Sequence, residues 1–261
     1  TDPDQRMTGG GPIEATGLWR RIFRAGHEPT GAAAARRLGE ILSPALAHHL
    51  LGPIETDPGR PGGNPDLLRS SRLANRFARG QQQSWARVIA EAGLPVVYLK
   101  GFAAAHSIYA DSDVRVIGDL DVLVRTGDIG RLVDLLTRHG FRFDSVSRRP
   151  WGFIADASFA PYVSSDGHCI IDIHRHPDSY PAHLSLGAEI VFDASVEVMA
   201  GELPIRIPCR EHALLLAVTN AAKDKFGPFS VRQAVDAGVM LRDGPAPDWR
   251  HIEDIASRGG F

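Results

Sequence analysis

The stretch VRVIGDLDVLVR, residues 114–125, constrains the fold of this chain most strongly. Its β-branched residues and leucines are typical of a strand that is buried on both faces. Asp119 and Asp121 interrupt this apolar pattern, and alternate residues of a strand project from the same face. The sequence therefore predicts a buried strand with two carboxylates side by side, which repel each other unless a positive charge compensates them.

Other segments between residues 95 and 176 have the patterns of short strands and helices. The predicted strands are PVVYL (95–99), FRFDSV (141–146), SFAPYVSS (158–165) and HCIIDIH (168–174), with a Ser-Asp-Gly turn at 165–167. The predicted helices are GFAAAHSIYA (101–110) and GDIGRLVDLLTRHG (127–140), the second ending at Gly140 with a buried side of Ile129, Leu132, Val133, Leu135 and Leu136. Strands with so few intervening helices predict an α/β chain of the α+β kind, with a small mixed sheet.

Helical patterns also precede this core. We expect disorder over residues 1–12, helices over 13–50 and a loop rich in proline and glycine over 52–66. A long helix should then run from about residue 65 to residue 92. Its predicted apolar side comprises Leu73, Phe77, Trp85, Val88 and Ile89.

Helical patterns follow the core as well. Helices are predicted to begin near Pro208, within SVRQAVDAGVMLRDG (230–244), and after Asp248 as an N-cap. The last of these has only just ended at Phe261, so we expect further sequence to follow. The patterns divide the chain into an N-terminal region (1–94), a core (95–200) and a helical C-terminal region (201–261).

Composition narrows the class of protein. The net charge of −2 argues against a general nucleic-acid coat, and no apolar run reaches the roughly 18 residues of a membrane-spanning helix. The two cysteines, Cys169 and Cys209, suggest no disulfide framework, and the first residues do not resemble a signal peptide. We therefore expect a cytoplasmic protein that does not associate with a membrane.

Four arginines form a basic stripe on the predicted long helix. Arg69, Arg72, Arg76 and Arg79 recur at spacings of three and four residues. Such a stripe is either a solvated helix face or a surface that contacts a polyanion. The sequence alone leaves both interpretations open.

A divalent cation would resolve the repulsion between Asp119 and Asp121. Hard oxygen ligands are what Mg²⁺ or Mn²⁺ prefers, with substrate phosphates completing the shell. CIIDIH repeats the pattern of an acid within an apolar strand, so Asp172 is the candidate third carboxylate of a two-metal site. The alternative is structural: Asp119 caps the start of the strand, and Asp121 pairs with Arg115 or Arg125.

The segment HCIIDIHRHPD suggests a second kind of metal site, with hydrolysis as its chemistry. Its ligand-type side chains are His168, Cys169, Asp172, His174, His176 and Asp178. No His-Glu-x-x-His motif or second ligand cluster supports this interpretation. His174 shares a strand face with Asp172, so it is also a candidate partner of that carboxylate or a substrate contact.

Other polar residues in helical patterns have structural interpretations. His212 is predicted to be a core histidine, Lys223 and Lys225 a solvated helix end, and Asp236 a partner of Arg232 four residues earlier. The sequence contains no nucleophile elbow, Walker-type phosphate loop or dinucleotide fingerprint. Any nucleotide would therefore be held through the carboxylates and a metal.

The carboxylate motif stands in a longer ordered pattern. Its elements are Leu99, Lys100, Gly101, Tyr109, Arg115, Gly118, Asp119 and Asp121, followed downstream by Asp172 and His174. In this pattern residues 98–142 resemble a bacterial family called uncharacterised nucleotidyltransferases, which belongs to the DNA polymerase β-like nucleotidyltransferase superfamily. The Lys-Gly and Arg-x-x-x-Asp-x-Asp arrangements also look similar to abortive-infection toxin nucleotidyltransferases.

The resemblance implies roles for the matching residues. Asp119, Asp121 and Asp172 would hold Mg²⁺, and one of them would help to deprotonate an acceptor hydroxyl. The backbone at Lys100 and Gly101 would face the triphosphate of a bound NTP, because it leads into a helix N-terminus.

The remaining matches are implied to contact the nucleotide. Arg115 would bridge the metal site or a phosphate, or else only orient Asp119 through a salt bridge. His174 would contact the nucleotide. Superfamily members more often have Gly-Ser in the loop where Gly101 is followed here by Phe102, so Lys100 is the candidate phosphate contact.

The resemblance thus implies an enzyme that transfers an NMP from an NTP to an acceptor hydroxyl or other nucleophile and releases pyrophosphate. The net charge and the scarcity of aromatic residues among the arginines favour a small-molecule or peptide acceptor over RNA. Three alternatives stay open: a toxin-like nucleotidyltransferase that acts on RNA, a non-catalytic module that binds a nucleotide or a partner, and the His/Asp metal-dependent hydrolase described above.

Overall fold

The computed structural model describes residues 65–143, 157–159, 161–223 and 231–260. The disorder predicted over 1–12, the helices predicted over 13–50 and the loop up to residue 64 lie outside these described residues. Within them, helices and a mixed sheet combine in the predicted α+β arrangement. None of the described helices is long and apolar enough to cross a membrane.

A five-stranded mixed sheet lies at the centre of the fold. Its strands are β1 (Val96–Tyr98), β2 (Leu120–Val124), β3 (Arg142–Phe143), β4 (Tyr162–Val163) and β5 (Ile170–His174), in the spatial order β1-β2-β5-β4-β3. Strand β2 runs antiparallel to β1 and parallel to β5, while the remaining pairs are antiparallel. The predicted small mixed sheet is confirmed, and the strand of the opening motif is paired on both sides.

Seven α-helices are described around the sheet. They are α1 (Pro65–Glu91), α2 (Lys100–Ser107), α3 (Ile129–Arg138), α4 (Ala188–Asp193), α5 (Arg210–Lys223), α6 (Val231–Asp243) and α7 (Trp249–Gly259). The chain leaves α3 at Gly140, whose φ of +81° lies in the region that favours glycine. The carboxylate of Asp248 accepts a hydrogen bond from the backbone N–H of His251 at 3.1 Å, which confirms the predicted N-cap of α7.

The sheet separates two hydrophobic cores. The first contains Ile89, Phe102, Leu132 and Leu136 from α1, α2 and α3, packed against Val96, Tyr98, Leu120, Val122, Val124, Ile171 and Ile173. The second contains Val97, Leu99 and Leu123 with Phe192, Leu215, Leu216 and Ile255 from α4, α5 and α7. Asp121, Asp172 and His174 alternate with residues of the first core, so they project to the face that the C-terminal helices cover.

A β-hairpin follows the sheet, and the sequence analysis missed it. Strands β6 (Val196–Ala200) and β7 (Leu203–Ile207) pair antiparallel around a turn in which Gly201 has a φ of +65°. Strand β7 lies inside the region predicted to be helical from residue 201, and the predicted domain boundary falls in the turn. Ala200, Ile205 and Ile207 belong to the first core, so the hairpin is continuous with the packing of β1.

The predicted apolar side of α1 is only partly correct. Ile89 is fully buried, and Trp85 and Val88 pack against the first core. Leu73 and Phe77 were also assigned to the core, but they are 59% and 53% exposed. Leu73 and Phe77 are therefore not buried against the sheet.

Hydrogen bonds to the loop before β2 explain how the first half of α1 is oriented. Asn75 is buried and donates through Nδ2 to the carbonyl of Asp113 at 2.8 Å. Gln82 is buried and donates through Nε2 to the carbonyl of Gly118 at 3.2 Å. Because these amides satisfy buried carbonyls, the helix presents them inward, and Phe77 is left on the exposed side.

A buried ion pair joins the same loop to α6. Arg115 donates to the carboxylate of Asp236 through Nε at 2.8 Å and through Nη2 at 2.6 Å, and both side chains are about 95% buried. Tyr109 also donates to Asp236 at 2.7 Å. The sequence analysis had Arg115 bridge the metal site or a phosphate, or else pair with Asp119, and had Asp236 pair with Arg232. The structure instead pairs Arg115 with Asp236, 121 residues along the chain.

Replacing Asp236 by asparagine should lower the free energy of unfolding by about 3–5 kcal/mol, because the buried Arg115 guanidinium loses its charge partner. Urea denaturation followed by circular dichroism measures this loss. Asp254→Asn is the matched control, since it removes the carboxylate of the exposed pair with Arg258 and should cost about 0.5 kcal/mol or less. Equal losses for the two variants would contradict the role assigned to the buried pair.

Candidate active site

Asp121 on β2 and Asp172 on β5 are register partners across two adjacent parallel strands. Because both alternate with residues of the first core, their carboxylates project to the same face of the sheet. Asp121 is only 2% exposed, and Asp172 is partly buried. The predicted proximity of these two carboxylates is therefore confirmed.

Two nitrogen atoms bind the same oxygen of Asp121. Lys100 Nζ donates to Asp121 Oδ1 at 2.5 Å, and His174 Nε2 lies 2.8 Å from that oxygen. The two nitrogens are 3.5 Å apart. Among the described residues, one group of three potential metal ligands has its ligand atoms within 4.8 Å of one another, and it consists of Asp121, Asp172 and His174.

Lys100 reaches Asp121 because of the way α2 begins. Strand β1 ends just before it, and the backbone N–H of Leu99 donates to the carbonyl of Asp121 at 3.0 Å. Lys100 then takes a φ of +48°, in the left-handed region that residues other than glycine rarely adopt. Such a conformation persists only where the surrounding structure enforces it, and it is concentrated at functional sites. The ammonium group and the start of α2 thus both border the carboxylate.

The charges at this centre are coupled. Burial opposes the ionisation of Asp121, but the Lys100 ammonium and the His174 hydrogen bond outweigh burial and hold the pKa of Asp121 well below its usual range. Burial also opposes the charged form of Lys100, but Asp121 outweighs it and raises the pKa of Lys100. Burial, with the charges of Asp121 and Asp119, raises the pKa of Asp172 to about 7. One ammonium therefore does not neutralise the carboxylates.

Asp119 stands beside this group. It lies one residue before β2 and is partly buried. The charge of Asp121, followed by burial, raises the pKa of Asp119, which is the repulsion that the sequence predicts. The sequence analysis predicted Asp119 as the third member of the compact group, but the structure has His174 in that place. Asp119 lies outside the compact group and adds negative charge beside it.

The structural alternative for Asp121 is wrong. Its partners are Lys100 and His174, as described above, whereas Arg115 pairs with Asp236. The other proposed partner, Arg125, pairs with an exposed glutamate of α4 at 2.8 Å. The two arginines near Asp121 in the sequence therefore form ion pairs with other carboxylates.

Arg115 lies behind the start of α2. A Cβ at Gly101 would be 3.7 Å from Arg115 Nη1 and 3.6 Å from Ile117 Cγ2, which is ordinary van der Waals contact. Arg115 is only 5% exposed. The Arg115 side chain therefore lies close behind the backbone of Gly101, next to the residue that carries the Lys100 ammonium.

Two cations of the C-terminal helices act on the carboxylates, and the sequence analysis missed both as site residues. Lys223, at the end of α5, interacts electrostatically with Asp172. Arg232, in the first turn of α6, interacts electrostatically with Asp119 and Asp121. The local pattern at Lys223 indicates a solvated helix end, and no sequence signal shows that α5 ends near the carboxylates.

The six ligand-type residues of the alternative transition-metal site do not come together in the structure. The ring of His168 packs edge-on against Phe77, with centroids 5.3 Å apart. Cys169 belongs to the first core, on the opposite face, and burial raises its pKa to about 12. Of the six ligand-type residues in that segment, the compact group contains Asp172 and His174.

His212 is a buried histidine, as predicted. It is 0% exposed, and burial lowers its pKa to about 4, so it is neutral near pH 7. Its Nε2 lies 3.4 Å from His251 Nε2 on α7. Lys223 is exposed, as predicted, and Lys225 lies outside the described residues.

The basic stripe of α1 is largely neutralised by the chain itself. Arg72 pairs with Asp111 at 2.9 Å, and Arg76 and Arg79 both pair with Asp113. Burial favours the neutral form of Asp113, but these two arginines outweigh it and hold its pKa below its usual range. These ion pairs hold the loop before β2 against α1, while Arg69 and Arg76 remain exposed to solvent.

The sequence of the chain matches one family model over nearly all of the residues that the structure describes. Residues 66–261 match the model of the family described as uncharacterised nucleotidyltransferase, and the chain belongs to that family. The match spans the sheet, the carboxylates and the C-terminal helices. No curated protein matches the chain. The family description gives the class of reaction, nucleotidyl transfer, and leaves the nucleotide and the acceptor open.

Asp172→Asn should stabilise the protein in buffer containing EDTA, because it removes a partly buried charge next to Asp121. The pKa of Asp172 is about 7 in the folded protein against an ordinary value of 3.8, so its ionised form opposes folding fully above pH 7. The gain should be largest at about pH 8 and shrink as the pH falls from 7 towards 4.

Thermal unfolding across this pH range measures the gain. Asp134→Asn is the control, because Asp134 is exposed on α3 and its replacement should not follow this pH profile. An Asp172→Asn protein that is less stable than the wild type at about pH 8 would contradict the charge repulsion described here.

Proposed function

We propose that this protein is a Mg²⁺-dependent nucleotidyltransferase of the DNA polymerase β-like superfamily. It moves an NMP from an NTP to an acceptor nucleophile and releases pyrophosphate. The observation that carries the proposal is the pairing of Asp121 with Asp172 on one sheet face, with Lys100 at the start of a helix beside them. Family membership supports the class of reaction, and this geometry supplies the groups that the reaction needs.

The side chains of the centre fit a divalent metal ion. Three carboxylates lie beside the Lys100 ammonium, and burial together with the charges of Asp121 and Asp119 raises the pKa of Asp172. Carboxylate oxygens are the ligands that Mg²⁺ and Mn²⁺ prefer. Asp121 and Asp172 would hold the metal together with Asp119, and His174 would orient Asp121. When bound, the metal would stabilise charge on the attacking and leaving oxygens.

The chain itself orients the triphosphate. The Lys100 ammonium and the first backbone N–H groups of α2, beginning at Gly101, lie on one side of the carboxylates and suit phosphate oxygens. Lys223 and Arg232 add positive charge from the C-terminal helices. Arg115 contributes indirectly, by supporting Gly101 from behind.

The transfer step needs little covalent chemistry from the protein. An acceptor hydroxyl oxygen attacks the α-phosphorus, and the bond from that phosphorus to the bridging oxygen breaks. Pyrophosphate leaves with the electron pair, and the hydroxyl proton passes to a carboxylate of the centre. Positioning and charge stabilisation supply most of the acceleration for a reaction of this type.

The acceptor is proposed to be a small molecule or a peptide. The arginines of α1 were the one feature that favoured RNA, and three of them are held by Asp111 and Asp113. An arginine whose charge is already balanced by a neighbouring carboxylate attracts a phosphate less strongly than an unpaired one does. Phe77 is the one aromatic residue among these arginines, and its exposed ring already packs edge-on against His168. This helix face therefore offers little surface for base stacking.

Asp121→Asn should reduce nucleotidyl transfer at least about a hundredfold while the protein stays folded, because it removes a charge that the reaction needs. NTPs labelled at the α-phosphorus or at the γ-phosphorus, incubated with Mg²⁺ and a cell extract, measure this. Label should reach the acceptor from the α-position and appear in pyrophosphate from the γ-position. Asp134→Asn should transfer at the wild-type rate.

The same assay separates the competing functions. Label that reaches the acceptor only from the γ-position would show phosphoryl transfer instead. Binding of NTP without any transfer, unchanged in Asp121→Asn, would favour a non-catalytic binding module.

The labelled acceptor should be found among small molecules or peptides and should resist nuclease. The double variant Arg72→Met, Arg76→Met should change the rate of transfer by less than about twofold, because these arginines serve the fold and make no acceptor contact. Circular dichroism checks that the double variant is folded. Label in nuclease-sensitive RNA, lost in the double variant, would overturn the proposed acceptor.

A further inference from the structure

Lys100 and a divalent metal would compete for one oxygen atom. Asp121 Oδ1 already accepts from Lys100 Nζ at 2.5 Å, and His174 Nε2 approaches the same oxygen at 2.8 Å. A metal that takes Asp121 as a ligand would place a second cation against this ammonium. Two positive charges a few ångströms apart repel each other strongly beside a carboxylate that is only 2% exposed.

The side chain of Lys100 is the member of this group that is able to move. Asp121 is 2% exposed and fixed within a paired strand, whereas the Lys100 side chain is 26% exposed. A lysine carries its charge on a flexible four-carbon stem with three donors that rotate freely. The backbone that anchors this stem is held at a φ of +48° at the start of α2, so the ammonium swings from a fixed point.

We infer that Lys100 is a displaceable counter-ion, which balances Asp121 until a divalent metal takes that carboxylate and then turns to the phosphates of the nucleotide. The inference rests on the proposed function, because it needs a metal and a triphosphate at this centre. It makes metal and nucleotide binding cooperative, since the metal releases the ammonium that the triphosphate needs. A permanent structural ion pair between Lys100 and Asp121 would give no such coupling.

The first test is Mn²⁺ binding without nucleotide, measured by electron paramagnetic resonance. Lys100→Met should bind Mn²⁺ at least about tenfold more tightly than the wild type, because the competing cation is gone. Arg131→Met is the control: it removes one positive charge from a side chain of α3 that is 56% exposed and pairs with Asp128, so it should change Mn²⁺ binding by less than about twofold.

Asp121→Asn separates this inference from the proposed function. If Asp121→Asn binds Mn²⁺ as tightly as the wild type, the metal centre of the proposed function is wrong. If Asp121→Asn loses Mn²⁺ while Lys100→Met and the wild type bind it equally, the metal centre stands and the displacement is overturned.

The second test uses inorganic tripolyphosphate with saturating Mn²⁺, measured by titration calorimetry. Lys100→Met should bind this complex at least about tenfold more weakly, opposite to its effect on Mn²⁺ alone. Unchanged binding would overturn the phosphate-facing half of the inference. A lysine with only a structural role would not move the two affinities in opposite directions.

Thermal unfolding with and without Mn²⁺ shows whether Lys100→Met is folded. Stability that is lost without Mn²⁺ and regained with it supports the inference, because the metal then replaces the ammonium. If Lys100→Met folds under neither condition, the Mn²⁺ titration is repeated with Lys100→Arg. This variant keeps the competing charge, so it should bind Mn²⁺ no more tightly than the wild type. Tighter Mn²⁺ binding by Lys100→Arg would overturn the displacement.

Discussion

The parallel pairing of β2 with β5 is the contact on which the rest of the site depends. It sets Asp121 opposite Asp172, and the apolar residues before and after them pack into the first core. Side chains alternate along a strand, so a slip of one residue would turn a carboxylate into that core and an apolar side chain out of it. Burial of Leu120, Val122 and Ile171 therefore holds the carboxylates together, although none of these residues contributes to the chemistry.

Two buried ion pairs make this arrangement tolerable. Lys100 compensates Asp121 on the site face, and Arg115 meets Asp236 behind the start of α2. Buried charges destabilise a fold unless they are paired, so each cation allows a charge that the interior would otherwise exclude. The arginines of α1 act in the same way on Asp113, at the start of the loop that leads to β2.

The sequence was sufficient where the physics is local. Apolar runs rich in β-branched residues predicted β2 and β5, and the spacing of Asp119 and Asp121 predicted the negative centre before any partner was known. It was insufficient where a partner lies far along the chain. Asp236 is 121 residues from Arg115, so a local rule paired it with Arg232 instead. The helical periodicity assigned Phe77 to the core. That assignment is wrong because buried amides orient α1, and the carbonyl that Gln82 bonds lies 36 residues away in the chain.

The Arg115–Asp236 pair limits which segments of this protein could be exchanged by recombination. A segment of residues 95–200 transplanted into another chain would carry an arginine that is 5% exposed and leave its carboxylate behind. The cut would also divide the hairpin whose second strand fills the first core. The zones that look like separable modules in the sequence thus share one interior. Exchange of the C-terminal helices between relatives would succeed only where the loop before β2 is exchanged with them.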